Sequence, residues 1–181
     1  MSPFDITHPG ALNRDAIAGL IDGDPALVAG YIDLGLQLQP NGFDLTLRSV
    51  ANFHGETAPG SIGVADADRK LPNTVEELFD GDGWVLLTPG PYLITFNEIV
   101  NIPRHLMALA RPRSSLLRAG VAIHTAVWDG GYSGRSQALL TVHHPAGFRL
   151  ERNARVAQLV FFPLAAPDPE GYTGRYRNEN L

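Results

Sequence analysis

The stretch "WVLLTPGPYLITFNEIV", residues 84–100, decides the fold class. Two runs of aliphatic and aromatic residues flank a Thr-Pro-Gly sequence, which is typical of β-strands joined by a tight turn. Comparable runs follow at residues 104–112, 120–128, 137–144, 147–151 and 154–164. Many short strands without long helices between them predict an all-β protein with a distorted β-barrel or jelly-roll-like core.

The residues before this region add a few short peripheral helices to what we expect to be a single domain, 1–181. Within residues 1–30, two amino-terminal helices are predicted. One is indicated by the helical spacing of Leu12, Ile17 and Leu20, and the other by Asp24-Pro25, a typical N-cap followed by proline. Alternation in "LGLQLQPNGFDLTLRSV", residues 34–50, predicts two strands around a Pro-Asn-Gly turn, whereas "TVEELF", residues 74–79, favours a short helix.

The composition excludes several classes of function. The 181 residues include no cysteine, which excludes disulfides, thiolate metal sites and the zinc deaminases with their C-x-x-C signature. A net charge of −5 disfavours general binding to nucleic acid, so an anionic ligand would have to meet a local group of arginines. No apolar run has the length of a membrane span and no signal-peptide pattern is present, so we expect a cytoplasmic protein without a membrane partner.

The stretch "TAVWDGGYSGRSQALL", residues 125–140, interrupts the apolar strands with a carboxylate. Asp129 stands between a tryptophan and two glycines, and Tyr132 follows three residues later. The simplest interpretation is a β-turn, because Asp-Gly is a strong turn sequence. The alternative is that the turn presents Asp129 for chemistry.

Two further segments carry groups suited to phosphate. "RPRSSLLR", residues 111–118, holds three arginines and two serines, whose side chains can donate hydrogen bonds to phosphate oxygens. The alternative is a capped surface helix with solvated arginines, which has the same composition. The tail, residues 172–181, carries Arg175, Tyr176 and Arg177, and we expect it to be a mobile lid. In "ARVAQLVFFPL", Gln158 interrupts an apolar strand and is expected to be buried with partners or to face a ligand.

The order and spacing of these segments over residues 36–178 resemble the dUTPase and dCTP deaminase superfamily, in its deaminase-like branch. The resemblance implies that Asp129 activates water and binds the 3′-hydroxyl, that Tyr132 lies under the deoxyribose, and that Arg113 binds phosphate. It implies binding roles for a larger set of residues: Ser114, Ser115, Arg118, Thr125, Gln137, Gln158, Arg175, Tyr176 and Arg177.

The resemblance also separates two reactions. Deaminases of this kind use a glutamate ten residues beyond the aspartate as general acid and base. Leu139 occupies that position here, and no acidic residue occurs from Ser133 to Leu150. The sequence therefore predicts a dUTP diphosphatase, which forms dUMP and pyrophosphate. The alternatives are a dCTP deaminase or bifunctional enzyme, a non-catalytic nucleotide-binding regulator, and a structural β-sandwich.

The sequence departs from common dUTPases in two places. It reads R-S-S-L in place of R-S-G-L, and it lacks the glycine-rich G-G-F-G-[ST] tail motif. The resemblance further implies Mg²⁺ bound mainly by the triphosphate, with Asp44 a candidate to hold the metal's water shell, and a homotrimer with shared active sites. The choice between dUTP and dTTP stays open at this point.

Overall fold

The computed structural model describes residues 10–55 and 58–181. In this part of the chain, short helices occupy a small fraction of the residues. They are α1 (Arg14–Ile21), α2 (Leu34–Gln37), α3 (Ser114–Arg118) and a 3₁₀ turn, Asp66–Asp68. None of these helices is long and apolar enough to cross a bilayer.

The strands occupy most of the ordered core and follow one another closely from residue 84 onward, as expected from the sequence. They are β1 (Val28–Ala29), β2 (Leu38–Gln39), β3 (Gly42–Asn52), β4 (Val75–Glu77), β5 (Trp84–Leu87), β6 (Gly90–Phe96), β7 (Ile99–Asn101), β8 (Leu106–Pro112), β9 (Val121–His124), β10 (Ser133–Gly134), β11 (Gln137–Val142), β12 (Phe148–Glu151) and β13 (Arg155–Pro163).

The main sheet has the order β8-β13-β3-β6-β11-β9, and β2 and β4 also pair with β3. Its two ends approach each other, because Ala108 of β8 exchanges hydrogen bonds of 2.9 and 3.0 Å with Trp128, just beyond β9. The sheet is therefore nearly closed into a barrel. Two smaller sheets, β1-β7-β10 and β12-β5, complete the architecture and confirm the predicted all-β fold.

Strand β3 runs through the centre of this sheet and is buried continuously from residue 42 to residue 47. One face points into the apolar core with Phe43, Leu45 and Leu47, all fully buried. Helices α1 and α2 pack against β2 and β3. Two polar side chains, Asp44 and Thr46, alternate with the apolar ones along β3 and are also out of contact with solvent.

The predicted hairpin around residues 40–42 is confirmed, with Leu38 paired to Phe43 and Gln39 to Gly42. However, the strand expected before the turn is mostly helical, since Leu34–Gln37 forms α2. The Asp33 side chain caps this helix by accepting from the Leu36 N–H at 3.1 Å. A local cap therefore overrides the alternation of apolar residues.

Two predicted helices are wrong. No helix begins at Asp24-Pro25, since the residues that follow form β1 and pair with β7 (Val28 with Val100). Residues 74–79 contain strand β4, which pairs with the end of β3. In both segments, pairing with a neighbouring strand outweighs a local helix preference of a few tenths of a kcal/mol per residue, roughly.

Candidate active site

The segment Trp128–Tyr132, here called the Asp129 turn, lies against the start of β8. The Tyr132 N–H donates to the Asp129 carbonyl at 3.1 Å, and Ile102 exchanges hydrogen bonds with Gly131 and Tyr132 at 2.8 Å each. The β-turn interpretation is therefore correct for the backbone. The turn also leaves the Asp129 side chain exposed, so the carboxylate is presented to solvent.

The turn requires glycine at residues 130 and 131 for two different structural reasons. A Cβ atom at Gly130 would lie 2.9 Å from the Arg104 carbonyl oxygen and 3.0 Å from that of Leu106, so the turn can approach β8 only without a side chain. Gly131 has a φ of +89°, in the left-handed region. The Asp-Gly-Gly sequence thus holds Asp129 at a defined place on the barrel.

Tyr132, the last residue of this turn, is buried. Its hydroxyl lies 2.8 Å from Glu179 Oε1 and 3.3 Å from Ser136 Oγ, and its ring packs edge-on against Tyr172 with centroids 5.7 Å apart. Burial raises the pKa of the Tyr132 phenol, and the Glu179 carboxylate raises it further. The hydroxyl therefore stays protonated and can donate a hydrogen bond.

A small cavity of about 80 Å³ adjoins the Tyr132 ring. Gln137 lines it, and its amide donates to Thr95 Oγ1 at 3.0 Å. The tail lines the other side with Tyr172, Tyr176 and Glu179. Thr125 is half-buried just before this region of the chain. The structure thus brings Tyr132, Gln137 and Tyr176 together around one cavity.

A second group, here called the arginine pair, consists of Arg113 and Arg155 on the carboxylate of Asp44. Arg113 Nη1 is ion-paired with Asp44 Oδ2, and Arg155 Nη1 lies 3.2 Å from the same oxygen. Burial lowers the pKa of Arg113, and the neighbouring Arg155 charge adds to this effect. Since arginine stays protonated in proteins, two positive charges meet one negative charge, and the excess favours an anion.

A residue that holds the water shell of a metal ion is expected to be open to solvent, and Asp44 is not. Its side chain is fully buried, Oδ2 contacts both arginines, and Oδ1 has no hydrogen-bond partner among the described residues. The contacts make it a holder of the arginine pair. Its main-chain carbonyl is also fixed, because Gln37 Nε2 donates to it at 2.8 Å.

A short helix, α3, follows Arg113, which stands at its N-cap position without a side-chain cap hydrogen bond. Its N-terminal end is anchored by the Arg113 N–H, which donates to the Val156 carbonyl at 3.0 Å. The side chains of Ser114, Ser115 and Arg118 are exposed on α3. They are free to meet a ligand, and the same exposure is compatible with a solvated surface helix.

Gln158 is only half-buried, so the expectation of a buried glutamine is wrong. Burial along β13 alternates, and Gln158 lies on the more open face opposite Asp44 of β3. Its side chain covers Gly42, where an added Cβ would be 3.0 Å from Gln158 Nε2 and 2.5 Å from the Leu159 carbonyl oxygen. Gln158 therefore lies over Gly42, on the strand that pairs with the strand carrying Asp44.

The tail packs on its own chain in this structure. Asn178 N–H donates to the Ser133 carbonyl at 2.7 Å, and the Arg135 N–H donates to the Glu179 carbonyl at 3.0 Å. The Asn180 amide donates to the Arg135 carbonyl at 2.9 Å. Arg175 and Arg177 are exposed. The role of residues 172–181 as a mobile lid stays a prediction.

The sequence interpretation missed a buried polar network behind the arginine pair. Glu98 is fully buried and accepts from Gln37 Nε2 at 2.7 Å, from the Thr46 N–H at 2.9 Å and from Thr46 Oγ1 at 2.6 Å. Burial raises the pKa of Glu98, against these hydrogen bonds. Gln37 links this network to the Asp44 backbone, so Glu98 braces the strand that carries Asp44.

These features define an all-β protein with a cationic cluster on adjacent strands and an exposed carboxylate on a separate turn. The family model described as dCTP deaminase-like matches residues 11–164. The chain belongs to the dCTP deaminase-like family.

Archaeal relatives are similar along nearly the whole chain. The "Probable deoxyuridine 5'-triphosphate nucleotidohydrolase" of Methanosarcina mazei is 45% identical over 169 residues, which cover 93% of this chain and 97% of the relative. The protein of the same name from Archaeoglobus fulgidus is 45% identical over 170 residues, covering 94% and 97%.

Among solved structures, the 2′-deoxycytidine 5′-triphosphate deaminase of Agrobacterium tumefaciens is similar, with a TM-score of 0.63 and 26% identity. The match covers 86% of this chain but 49% of the deaminase, so this chain spans about half the length of that protein.

Proposed function

We propose that the protein hydrolyses dUTP to dUMP and pyrophosphate. The observation that carries the proposal is the 44–45% identity, over more than nine-tenths of the chain, to proteins named probable dUTP nucleotidohydrolases. The site supports it with three groups that the reaction needs: a solvent-accessible carboxylate, an excess of positive charge, and an aromatic wall.

In this proposal Asp129 orients a water molecule toward the α-phosphorus. As the new oxygen–phosphorus bond forms, the carboxylate accepts the water proton, and the bond to the pyrophosphate leaving group breaks. General bases of this kind contribute about 10²–10⁴-fold to rate. The exposure of Asp129 supports this role, since a carboxylate that takes a proton from water must be reachable by water.

The arginine pair would balance the charge that develops on the phosphates. Arg113 and Arg155 are already fixed on Asp44, so little reorganisation is needed when the anion arrives. Further donors for the triphosphate are proposed on α3, on β13 and in the tail: Ser114, Ser115, Arg118, Gln158, Arg175 and Arg177.

The magnesium ion fits this site best as part of the substrate. Among residues 10–55 and 58–181 there is no group of three or more His, Asp or Glu side chains that could hold a metal ion. Mg²⁺ commonly binds substrate phosphates and retains several waters, with few protein ligands. We therefore propose that Mg²⁺ enters with dUTP and neutralises phosphate charge.

Tyr132 is proposed to form the wall that excludes a 2′-hydroxyl, with Thr125, Gln137 and Tyr176 around the nucleoside. The adjoining cavity of about 80 Å³ is far smaller than the roughly 300–1,000 Å³ of typical ligand pockets. Because the tail forms one of its walls, binding would require the tail to move from its position here.

A homotrimer is proposed from the family resemblance, with sites completed between copies. We expect light scattering to give a molar mass three times that of the chain. A stable monomer with full activity would contradict the proposal.

The reaction itself can be tested with four nucleotides. With Mg²⁺, we expect dUTP to give dUMP and pyrophosphate, dCTP to release no ammonia, and UTP to react much more slowly than dUTP. Leu139 is the reason for the second expectation: it pairs with Leu93 and His124 in the sheet, and leucine cannot move a proton. A parallel reaction with dTTP measures whether the enzyme excludes a 5-methyl group on the base.

Ion-exchange chromatography separates all the products of this experiment. Deamination of dCTP at a rate comparable to dUTP hydrolysis would contradict the proposal in favour of a bifunctional enzyme. Binding of dUTP without any turnover would favour a regulatory protein.

A further inference from the structure

Ser136 is a buried serine between β10 and β11 that the sequence motifs do not include. Only 5% of its surface is accessible. Its carbonyl accepts from the Phe96 N–H of β6 at 3.1 Å, which ties its backbone to the main sheet. Its hydroxyl oxygen lies 2.6 Å from Trp128 Nε1 and 3.3 Å from the Tyr132 hydroxyl.

These two partners are the first and last residues of the Asp129 turn. A buried indole N–H needs an acceptor, and Ser136 Oγ accepts from Trp128 Nε1. Because the single proton of the Tyr132 hydroxyl is directed to Glu179 Oε1, the Ser136 hydroxyl keeps its own proton to donate to the Tyr132 oxygen. Ser136 therefore joins both ends of the turn to the rigid sheet. The shorter contact, to Trp128, is the stronger of the two.

Asp129 has no comparable support of its own. Its side chain is exposed and makes no hydrogen bond or ion pair with any residue that the structure describes. The direction of the carboxylate is therefore set by the backbone of the turn. Trp128 is held there by its backbone pairing with Ala108 and by the indole contact with Ser136.

We propose that Ser136 is a positioning residue for the reaction, acting through Trp128 to aim Asp129 at the attacking water. This inference rests on the proposed dUTP hydrolysis. Displacements of about 1 Å in a reacting group can cost on the order of 10²-fold in rate. Loss of a supporting hydrogen bond that allows a smaller shift would therefore lower kcat more than it affects binding.

The test is a double-mutant cycle on the full-length chain with dUTP and Mg²⁺. Ser136→Ala and Trp128→Phe each remove one side of the same hydrogen bond. Each is expected to lower kcat about tenfold, which corresponds to about 1.4 kcal/mol, while KM changes less than about twofold. Because both remove one interaction, adding Ser136→Ala to Trp128→Phe should lower kcat by less than a further twofold or so.

Ser133→Ala is the matched control, because the Ser133 hydroxyl donates to Asn101 Oδ1 at 2.6 Å and is hydrogen-bonded to neither Trp128 nor Tyr132 in the described part of the chain. It should retain wild-type kcat. Wild-type turnover in soluble Ser136→Ala, or a tenfold loss in both backgrounds of the cycle, would overturn the inference. Absence of dUTP hydrolysis in the wild-type protein would instead overturn the proposed function.

Discussion

Replacing Asp129 by asparagine is expected to lower kcat for dUTP by about 10²–10⁴-fold, the usual contribution of a general base. Asparagine has nearly the same shape but cannot accept the proton from water. Since the Asp129 side chain is exposed and supports no other residue of the described chain, the fold and the affinity for a non-hydrolysable dUTP analogue should stay close to wild type. Steady-state kinetics and calorimetric titration measure the two quantities.

Asp82→Asn is a matched control, because Asp82 is also exposed and also precedes a glycine in a turn. It should leave kcat unchanged. If Asp129→Asn kept more than a tenth of wild-type kcat, the carboxylate would have another role, such as binding the 3′-hydroxyl alone. An increase in KM at constant kcat would indicate that second role directly.

The β-strands could be predicted from the sequence because their evidence is local. Apolar runs bounded by Gly, Pro and Asn recur from residue 84 to residue 164, and each becomes a strand. The errors occur where a distant partner decides the conformation. Residues 75–77 favour a helix by composition, yet they add to the edge of β3 at Asn52, which is more than twenty positions earlier.

Gln158 shows a related limit. The apolar residues around it suggested burial on both faces, whereas β13 alternates and leaves Gln158 half-buried. The sequence alone does not reveal which face of a continuous apolar strand is covered, because coverage depends on the neighbouring helices and loops.

The motif residues of the candidate site could be located in the sequence by their spacing. The residues that contact and hold them could not. Arg155 meets Asp44 from 111 positions away, and Glu179 reaches Tyr132 across 47. Ser136 lies in the same stretch as Trp128, residues 125–140, and a buried tryptophan N–H in general needs an acceptor. That requirement does not identify the partner, since many hydroxyls and carbonyls could satisfy it.

Removing the tail gives the other large expected effect. Deletion of residues 173–181 takes away Arg175 and Arg177, which are exposed here and are proposed to contact the triphosphate during reaction. Two charge-assisted hydrogen bonds of about 1.5–3 kcal/mol each correspond to a loss of roughly 10²–10⁴-fold in kcat if both act in the transition state. Steady-state kinetics with dUTP measure this loss.

The same deletion should have a modest effect on stability. Tyr172, which packs on Tyr132 and donates to the Gly130 carbonyl at 2.7 Å, is retained. The lost contacts are hydrogen bonds of Asn178, Glu179 and Asn180 at exposed or half-exposed positions. We expect a decrease in free energy of unfolding of about 1–2 kcal/mol, or less than about 8 °C in Tm.

Two variants distinguish the contribution of the tail's positive charges to kcat from the contribution of its attachment to Tyr132. Arg175→Ala with Arg177→Ala should reproduce the loss of kcat at unchanged Tm, because neither guanidinium holds the tail on the chain. Glu179→Ala removes the hydrogen bond to Tyr132 without removing a cation, so kcat should change by less than about threefold.

A truncated protein with normal turnover and a much lower Tm would show that the tail is a structural strap. Normal turnover in the double arginine variant would exclude these two cations from the reaction. Any remaining effect of the deletion would then belong to Tyr176 or to the attachment of the tail at Tyr132.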